Sequence, residues 1–279
     1  MVLLMIEYST YELITSLQNT RVKNAVKLRQ RRDRDRSQTF LIEGYRELLR
    51  ALEGNMSVTT LFICPEFFLG ENEGALISRI TEKGAEIIRC TEQVFQKLSY
   101  RDRPDGLLAI APQLKYTLKD LDGCIKDKAA PFFVVAEAIE KPGNLGTILR
   151  SADAVGVDGV IICDRCTDIH NPNVVRASTG TLFTRPVVEA TSDEVMEWLK
   201  ERNVSMLAAT PAATKEFTEV DLTGPVAVVL GTEQYGLSEK WMNGANCQVR
   251  IPMMGVADSL NVAMATSLLL YEVLRQRRL

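Results

Sequence analysis

RIPMMGVADSLNVAMATSLLLYEVLRQRRL, residues 250–279, gives the clearest structural signal in the chain. We predict a short strand over 247–251, a polar loop containing Asp258, Ser259 and Asn261, and a long helix that begins near Ser259. The helix is apolar almost all round, which is typical of burial on two sides. A loop that enters a helix N-terminus is a natural ligand site, because the first N–H groups have no partners within the helix.

Two upstream stretches share this arrangement of strand, polar turn and helix. NLGTILR (144–150) follows the buried-type strand PFFVVAEAIE, and VLGTEQYGLS (229–238) completes the strand PVAVVLG. Continuous apolar strands that alternate with helices predict an open, mostly parallel α/β sheet flanked by helices. The loops at the carboxyl ends of its strands are then expected to form the site.

In this order the three stretches resemble the three sequence motifs of the SpoU/TrmH family, RNA ribose 2′-O-methyltransferases of the SPOUT superfamily. The resemblance covers roughly the last 150 residues. It implies a SPOUT α/β domain with a parallel sheet and a deep C-terminal trefoil knot. It also implies S-adenosylmethionine as the cofactor, and a homodimer whose site is completed across the interface.

The resemblance implies particular site residues. As catalytic residues it points to Arg150, Asn144, Glu233, Ser259 and Asn261. Arg150 either holds the phosphate and ribose of the target or accepts the hydroxyl proton, although a guanidinium is a poor base. Ser259 and Asn261 either bind the ribose or cap the last helix. As cofactor-binding residues it points to Thr210, Gly231, Ile251, Pro252, Met253, Leu260 and Ala263, the last at a position where many relatives carry Ser.

A basic segment near the N-terminus, RVKNAVKLRQRRDRDR (21–36), predicts contacts with nucleic-acid phosphates. The alternative is an ordinary solvated basic face. Lys97, Arg101 and Arg103 are candidates to extend the surface. Arg176, in NPNVVRAS with Ser178, matches a stretch that relatives place beside the site. The RNA-binding prediction comprises Lys23, Lys27, Arg29, Arg31, Arg32, Arg34, Arg36 and Arg176.

The pattern predicts two domains and a linker. Residues 1–112 alternate strands and helices, which favours a small α/β domain. This part resembles, more weakly, the ribosomal-protein-like RNA substrate-binding domain of many relatives, through Ile14, Ser16, Asn19 and the strand FLIEG. Residues 113–128 are expected to be a linker, and residues 129–279 the methyltransferase domain.

Composition limits the function classes. The net charge of −3 argues against nucleic-acid binding by overall charge, so local basic patches are required. No apolar run predicts a membrane helix, and MVLLMI lacks the features of a signal peptide.

Cys163 and Cys166 form a lone CxxC, which is either redox-active, half a zinc site or a pair of reduced cytoplasmic thiols. With a single His170 and no paired metal motif, no metal is expected, and His170 is a weak catalytic candidate.

Three other functions compete with methylation of ribosomal RNA. A ribosome-associated RNA-binding protein without catalysis is disfavoured, because the motif residues are intact. A Rossmann dehydrogenase is disfavoured, because no G-x-G-x-x-G follows a strand. Within the methyltransferase class, a separate RNA-binding domain favours ribosomal RNA, in particular that of the large subunit, over tRNA.

Overall fold

The computed structural model describes residues 8–164 and 167–279, which form two compact units. Unit 1 comprises residues 8–114 together with His170–Thr184. Unit 2 comprises the other described residues from Lys115 onwards. The chain therefore leaves unit 2 after Ile169, contributes a segment to unit 1 and returns to unit 2 at Arg185.

Unit 1 is built on a five-stranded mixed sheet with the strand order β1-β4-β3-β5-β2, in which β5 runs antiparallel to β2 and β3. Its core is aliphatic and aromatic and includes Phe62 and Phe95. The elements in chain order are β1 (Glu12–Ile14), α1 (Thr20–Lys27), α2 (Arg31–Ser37), β2 (Thr39–Glu43), α3 (Tyr45–Glu53), β3 (Thr60–Ile63), α4 (Glu73–Glu82), β4 (Glu86–Cys90), α5 (Glu92–Leu98) and β5 (Leu107–Pro112).

Unit 2 carries the parallel sheet that the sequence predicts. Seven strands, all parallel, lie in the order β10-β12-β9-β11-β6-β7-β8. The elements from residue 115 are α6 (Leu118–Ile125), β6 (Phe132–Glu137), α7 (Pro142–Val155), β7 (Gly159–Cys163), α8 (Pro172–Ser178, part of unit 1), β8 (Val187–Ala190), α9 (Ser192–Glu201), β9 (Ser205–Ala209), β10 (Lys215–Glu216), β11 (Val226–Leu230), α10 (Glu239–Gly244), β12 (Cys247–Arg250) and α11 (Val262–Arg277).

The central strands of unit 2 explain why the sheet is parallel. Every residue of β6, β7 and β11 is buried, as expected where helices cover both faces of a sheet. Because all strands run the same way, their carboxyl ends meet at one edge. Helices α7 and α11 pack together, with the hydroxyls of Ser151 and Ser267 2.6 Å apart. The predicted trefoil knot stays a prediction.

Several boundaries differ from the sequence-based prediction. The expected linker contains α6, whose Leu121 is fully buried in the core of unit 2. Helix α11 begins at Val262 rather than near Ser259, because the Asn261 side chain accepts the Ala263 N–H and caps it. The strands β1 and β8 were not predicted; each is short and lies at a sheet edge, so its apolar pattern is weak.

Candidate functional site

A cavity of about 610 Å³ opens in unit 2 where the carboxyl ends of β9, β11 and β12 meet. Its lining combines apolar residues with polar residues of the three loops that follow these strands. It includes eight of the residues predicted from the motifs: Thr210, Gly231, Glu233, Ile251, Met253, Ser259, Leu260 and Asn261. These residues come from the second and third motifs and from the loop after β9.

Two predicted cofactor residues lie outside this lining. Pro252 is exposed, and the buried Ala263 instead supplies the N–H that Asn261 accepts. Conversely, Lys141 and Tyr235 line the cavity but were not predicted. Lys141 lies directly before Pro142, which occupies the first turn of α7. That Lys-Pro step is the sequence signal that places Lys141 at a helix start.

Three side chains from the three motifs form one hydrogen-bonded chain at the cavity. Asn261 Nδ2 donates to Asn144 Oδ1 at 3.1 Å, and Asn144 Nδ2 donates to Glu233 Oε1 at 2.7 Å. Lys141 is the N-cap of α7, so Asn144 lies in the first turn and does not cap the helix. Its amide is therefore available to link motifs two and three.

Glu233 is held as a carboxylate. Partial burial raises its pKa, but hydrogen bonds from the Asn144 amide and from backbone N–H groups outweigh this, so the pKa of Glu233 lies below its ordinary value. The N–H groups of Glu140 and Lys141 each donate to this carboxylate at 3.3 Å. Glu233 thus ties the loop after β11 to the start of α7.

We expect Glu233→Gln to lower the free energy of unfolding at pH 7 by about 1 kcal/mol, allowing for solvent screening. A depressed pKa contributes stability that is fully present above the unfolded pKa of about 4.5. That stability is lost as pH falls through the lower, folded pKa. Urea unfolding of both proteins should therefore converge as the pH is lowered from 7 towards 3.5. A difference that stays constant with pH would contradict the assignment.

The loop after β11 is a tight turn with one position at which only glycine fits. Thr232 N–H donates to Gly236 O at 2.9 Å, and Gly236 N–H donates back to Thr232 O at 3.1 Å. A Cβ at Gly231 would overlap the backbone of Gly236 and Leu237. The buried Glu137, at the end of β6, accepts the Ser238 N–H at 2.8 Å and fixes the far end of this loop. Backbone N–H and C=O groups are thereby presented along the cavity wall.

Arg150 lies on α7 but does not line the cavity of its own chain. It is exposed, six residues after Asn144. At 3.6 residues per turn this places it about 9 Å further along the axis and about 120° around it. Arg150 makes no hydrogen bond or ion pair with any residue that the structure describes. Its guanidinium is therefore free to meet a group from outside the chain.

The prediction that Arg34 contacts RNA is wrong. Arg34 is 1% exposed, and its Nη1 donates to the carbonyls of Leu28 and Arg29, each at 2.8 Å. Arg29 is partly buried and donates to the carbonyls of residues 97–99 at 2.7–3.1 Å. Both guanidinium groups donate hydrogen bonds to carbonyls at the C-terminal ends of helices, where positive charge is favoured.

Arg34→Ala is expected to destabilise the protein by about 2–3 kcal/mol, because two buried carbonyls lose a charged donor. Arg32→Ala, on the exposed face of the same helix, is the matched control and should change stability by less than about 0.5 kcal/mol. Denaturant unfolding measures both. Equal effects of the two substitutions would show that Arg34 has no structural role.

The other predicted basic residues of this segment stay on the surface. Arg31 pairs with Asp35 at 3.5 Å and Arg36 pairs with Asp33 at 3.0 Å, so part of their charge is compensated. Lys23, Lys27 and Arg32 are exposed and have no ion-pair partner among residues 8–164 and 167–279. Arg176 is also exposed, but it belongs to unit 1 rather than to the unit that holds the cavity.

The remaining candidates have structural surroundings. His170 is buried, accepts the Leu114 N–H on Nε2 at 2.9 Å and packs 4.7 Å from the Phe40 ring. Cys163 is buried in the core of unit 2, where burial raises the pKa of its thiol, with a further contribution from the charge of Asp164. Its CxxC partner, Cys166, lies outside the described residues.

Among residues 8–164 and 167–279, no group of three or more His, Cys, Asp or Glu side chains is arranged to hold a metal ion. Within the same residues, no helix is long and apolar enough to cross a membrane.

Known protein families match both parts of the chain. The profile of the SpoU rRNA Methylase family matches residues 131–271, and that of the MRM3-like substrate binding domain matches residues 19–109. The chain is 32% identical, over 88% of its length, to the 23S rRNA (uridine(2479)-2′-O)-methyltransferase of Streptomyces viridochromogenes, and it covers 86% of that protein. It is 26% identical, over 93% of its length, to the 23S rRNA (guanosine(2553)-2′-O)-methyltransferase RlmP of Bacillus subtilis (strain 168), and covers 98% of it.

A solved structure has the same fold over almost the whole chain. The AdoMet-bound rRNA methyltransferase from Sinorhizobium meliloti superposes with a TM-score of 0.86 at 30% identity. The superposition covers 95% of this chain and 98% of that one. The similarity therefore extends over both units and is not limited to the cavity.

Proposed function

Because the chain belongs to the SpoU rRNA methylase family, we propose that it transfers a methyl group from S-adenosylmethionine to a ribose 2′-hydroxyl of 23S ribosomal RNA. The observation that carries this proposal is the hydrogen-bonded chain Asn261–Asn144–Glu233 at the cavity of unit 2. Two of the similar proteins act on a uridine and a guanosine, respectively, of 23S rRNA. The identity of the base is therefore left open.

The cavity residues fit S-adenosylmethionine. A volume of about 610 Å³ lies in the range of pockets for ligands of this size. Gly231 lets the loop after β11 pack tightly against the backbone of Gly236 and Leu237 at the cavity, and Ile251 and Leu260 supply an apolar surface. When bound, the cofactor supplies a methyl group on a sulfonium. The neutral thioether that departs is a good leaving group.

The residues of this chain would then position the ribose. The carboxylate of Glu233 fixes the orientation of the Asn144 amide, and Asn144 fixes that of Asn261. Alignment of this kind accounts for a large part of the rate of a group transfer. Arg150 supplies a positive charge for the phosphate beside the target and for the oxygen as its proton leaves.

We also propose that two copies associate through α11. Met264, Leu268 and Tyr271 recur at helical spacing on its exposed face, and they are 64%, 44% and 52% exposed. An exposed apolar stripe of this kind on a helix favours association with a second copy of the chain, which would bury the stripe. A dimer would give the exposed Arg150 access to the cavity of the partner. Sedimentation of the purified chain at about twice its 31.1 kDa mass tests this.

The experiment that tests the function is transfer of labelled methyl from S-adenosylmethionine to a 23S rRNA transcript and, in parallel, to tRNA. Nuclease digestion identifies a 2′-O-methylated product by its resistant dinucleotide. We expect label in 23S rRNA. Label confined to tRNA would support ribose methylation and contradict 23S rRNA as the substrate. An absence of label despite binding of the RNA would favour an RNA-binding protein without catalysis.

A further inference from the structure

Unit 1 has a cavity of its own, about 720 Å³ in volume and separate from the one in unit 2. Three segments line it: the start of α3, the loop before β5 and the end of α8. These segments bring four arginines together, Arg46, Arg101, Arg103 and Arg176. The net charge of the whole chain is −3, so such a cluster is a local feature.

The positive charge of one of these arginines is compensated by carboxylates of the same unit. Arg101 pairs with Glu47 at 2.7 Å and with Asp105 at 3.8 Å, and it donates to the Glu43 carbonyl at 2.8 Å. Arg46, Arg103 and Arg176 are exposed and make no ion pair within the part of the chain that the structure describes. Glu47 and Asp105 are thus occupied by Arg101, and the third acidic residue of the lining, Asp102, is exposed to solvent. The three other arginines remain available to an anion.

The same cavity contains a hydrogen-bond acceptor that lacks a donor. Asp105 is 8% exposed; its Oδ2 accepts the Tyr45 N–H at 2.8 Å. Its Oδ1 is buried and has no hydrogen-bond partner among the described residues. A buried oxygen without a donor costs free energy, and a donor from a bound ligand that reached it would recover that cost.

We propose that this cavity binds one nucleotide of the RNA backbone, with its phosphate on Arg46, Arg103 and Arg176 and its ribose 2′-hydroxyl donating to Asp105 Oδ1. An anion and a hydroxyl donor occur side by side along RNA, and the 2′-hydroxyl is the group that distinguishes RNA from DNA. The proposal rests on the proposed function, in that it takes the substrate to be RNA. It places an RNA contact outside the basic segment of residues 21–36.

The test uses the full chain and a 23S rRNA transcript in filter binding at several salt concentrations. Arg46→Gln and Arg103→Gln should each weaken binding about tenfold and reduce the slope of log affinity against log salt by about 0.7–0.9. Arg79→Gln, an exposed arginine on α4 of the same unit, is the matched control and should change neither quantity. Affinities within twofold of this control for both variants would overturn the phosphate site.

Asp105→Asn tests the hydroxyl contact, because an amide N–H₂ replaces the unpaired acceptor. It should weaken binding to the transcript about tenfold and leave binding to single-stranded DNA of the same sequence unchanged. A melting curve shows whether the variant is folded; if it is not, a wild-type preference for RNA over the 2′-deoxy strand gives the same information. Equal affinity of the wild type for both strands would overturn this contact.

The failures of the two proposals are distinguishable. If the wild type methylates 23S rRNA and the arginine variants bind like the control, the cavity proposal fails and the function stands. If no RNA is methylated but the arginine variants still bind the transcript more weakly, the function fails and the cavity proposal stands. Affinity for S-adenosylmethionine should be unchanged in every variant, because that cavity belongs to unit 2.

Discussion

An Arg150→Ala variant is expected to lose methyl transfer by about 10³-fold or more while it binds S-adenosylmethionine as tightly as the wild type. Arg150 is exposed on α7, makes no hydrogen bond or ion pair among the described residues and does not line the cavity of its own chain. Its removal should therefore leave stability and cofactor affinity unchanged. Single-turnover methylation and calorimetric cofactor titration measure the two effects separately.

Arg150→Lys separates the two roles that the sequence left open. If the positive charge binds phosphate and stabilises the developing oxygen anion, lysine should restore roughly a tenth of the activity, with an unchanged pH profile. If the side chain accepts the proton, the more readily deprotonated lysine should shift the pH profile. Methylation by Arg150→Ala at near the wild-type rate would show that Arg150 has no role in the mechanism.

Mixing two inactive variants tests whether Arg150 acts on a partner. In a mixed dimer of Arg150→Ala and Asn144→Ala, one cavity keeps an intact Asn144 and can receive Arg150 from the other copy. Random exchange of subunits should then restore about a quarter of wild-type activity. No activity above that of the separate variants would mean that Arg150 serves its own chain.

The second large effect is expected from Gly231→Ala. The added methyl group would overlap the backbone of Gly236 and Leu237, which no change of side-chain rotamer can relieve. The loop must shift, so we expect the affinity for S-adenosylmethionine to fall by at least about 100-fold and the free energy of unfolding to fall by about 1–3 kcal/mol. Calorimetric titration and denaturant unfolding provide these two numbers.

Gly123→Ala is the matched control for this substitution. Gly123 lies in α6, and a Cβ there would have no neighbour within 4 Å. The control should bind the cofactor normally and gain about 0.5–1 kcal/mol, as alanine does in place of a helical glycine. Normal cofactor binding by Gly231→Ala would mean that the loop after β11 is not part of the binding wall.

The sequence predicted the parts of this protein in which local pattern and packing agree. The apolar runs of β6, β7 and β11 are long enough to identify a buried parallel sheet. Once those strands are placed, the polar residues after each of them must share an edge. The particular residues Gly231, Glu233 and Asn261 were assigned through the resemblance to the SpoU/TrmH motifs, and all three line the cavity at that edge.

The sequence did not reveal features that depend on contacts between distant residues. Arg34 looks like its exposed neighbour Arg32, and only the folded structure shows that its guanidinium is buried and donates to the carbonyls of Leu28 and Arg29. The bond between Asn144 and Glu233 spans 89 positions, so no local pattern encodes it. The segment His170–Thr184 has helical signals of its own and nothing that indicates to which unit it belongs.

The path of the chain also constrains how this protein evolves. A gene that acquired the first 114 codons from another source would encode a unit without α8, whose surface against β2 is specified downstream. We therefore expect exchange of unit 1 among relatives to succeed only when residues 170–184 of the recipient can pack against the incoming residues. In this chain His170 packs against Phe40 and accepts the Leu114 N–H. The two halves are thus expected to diverge together rather than to be shuffled as independent modules.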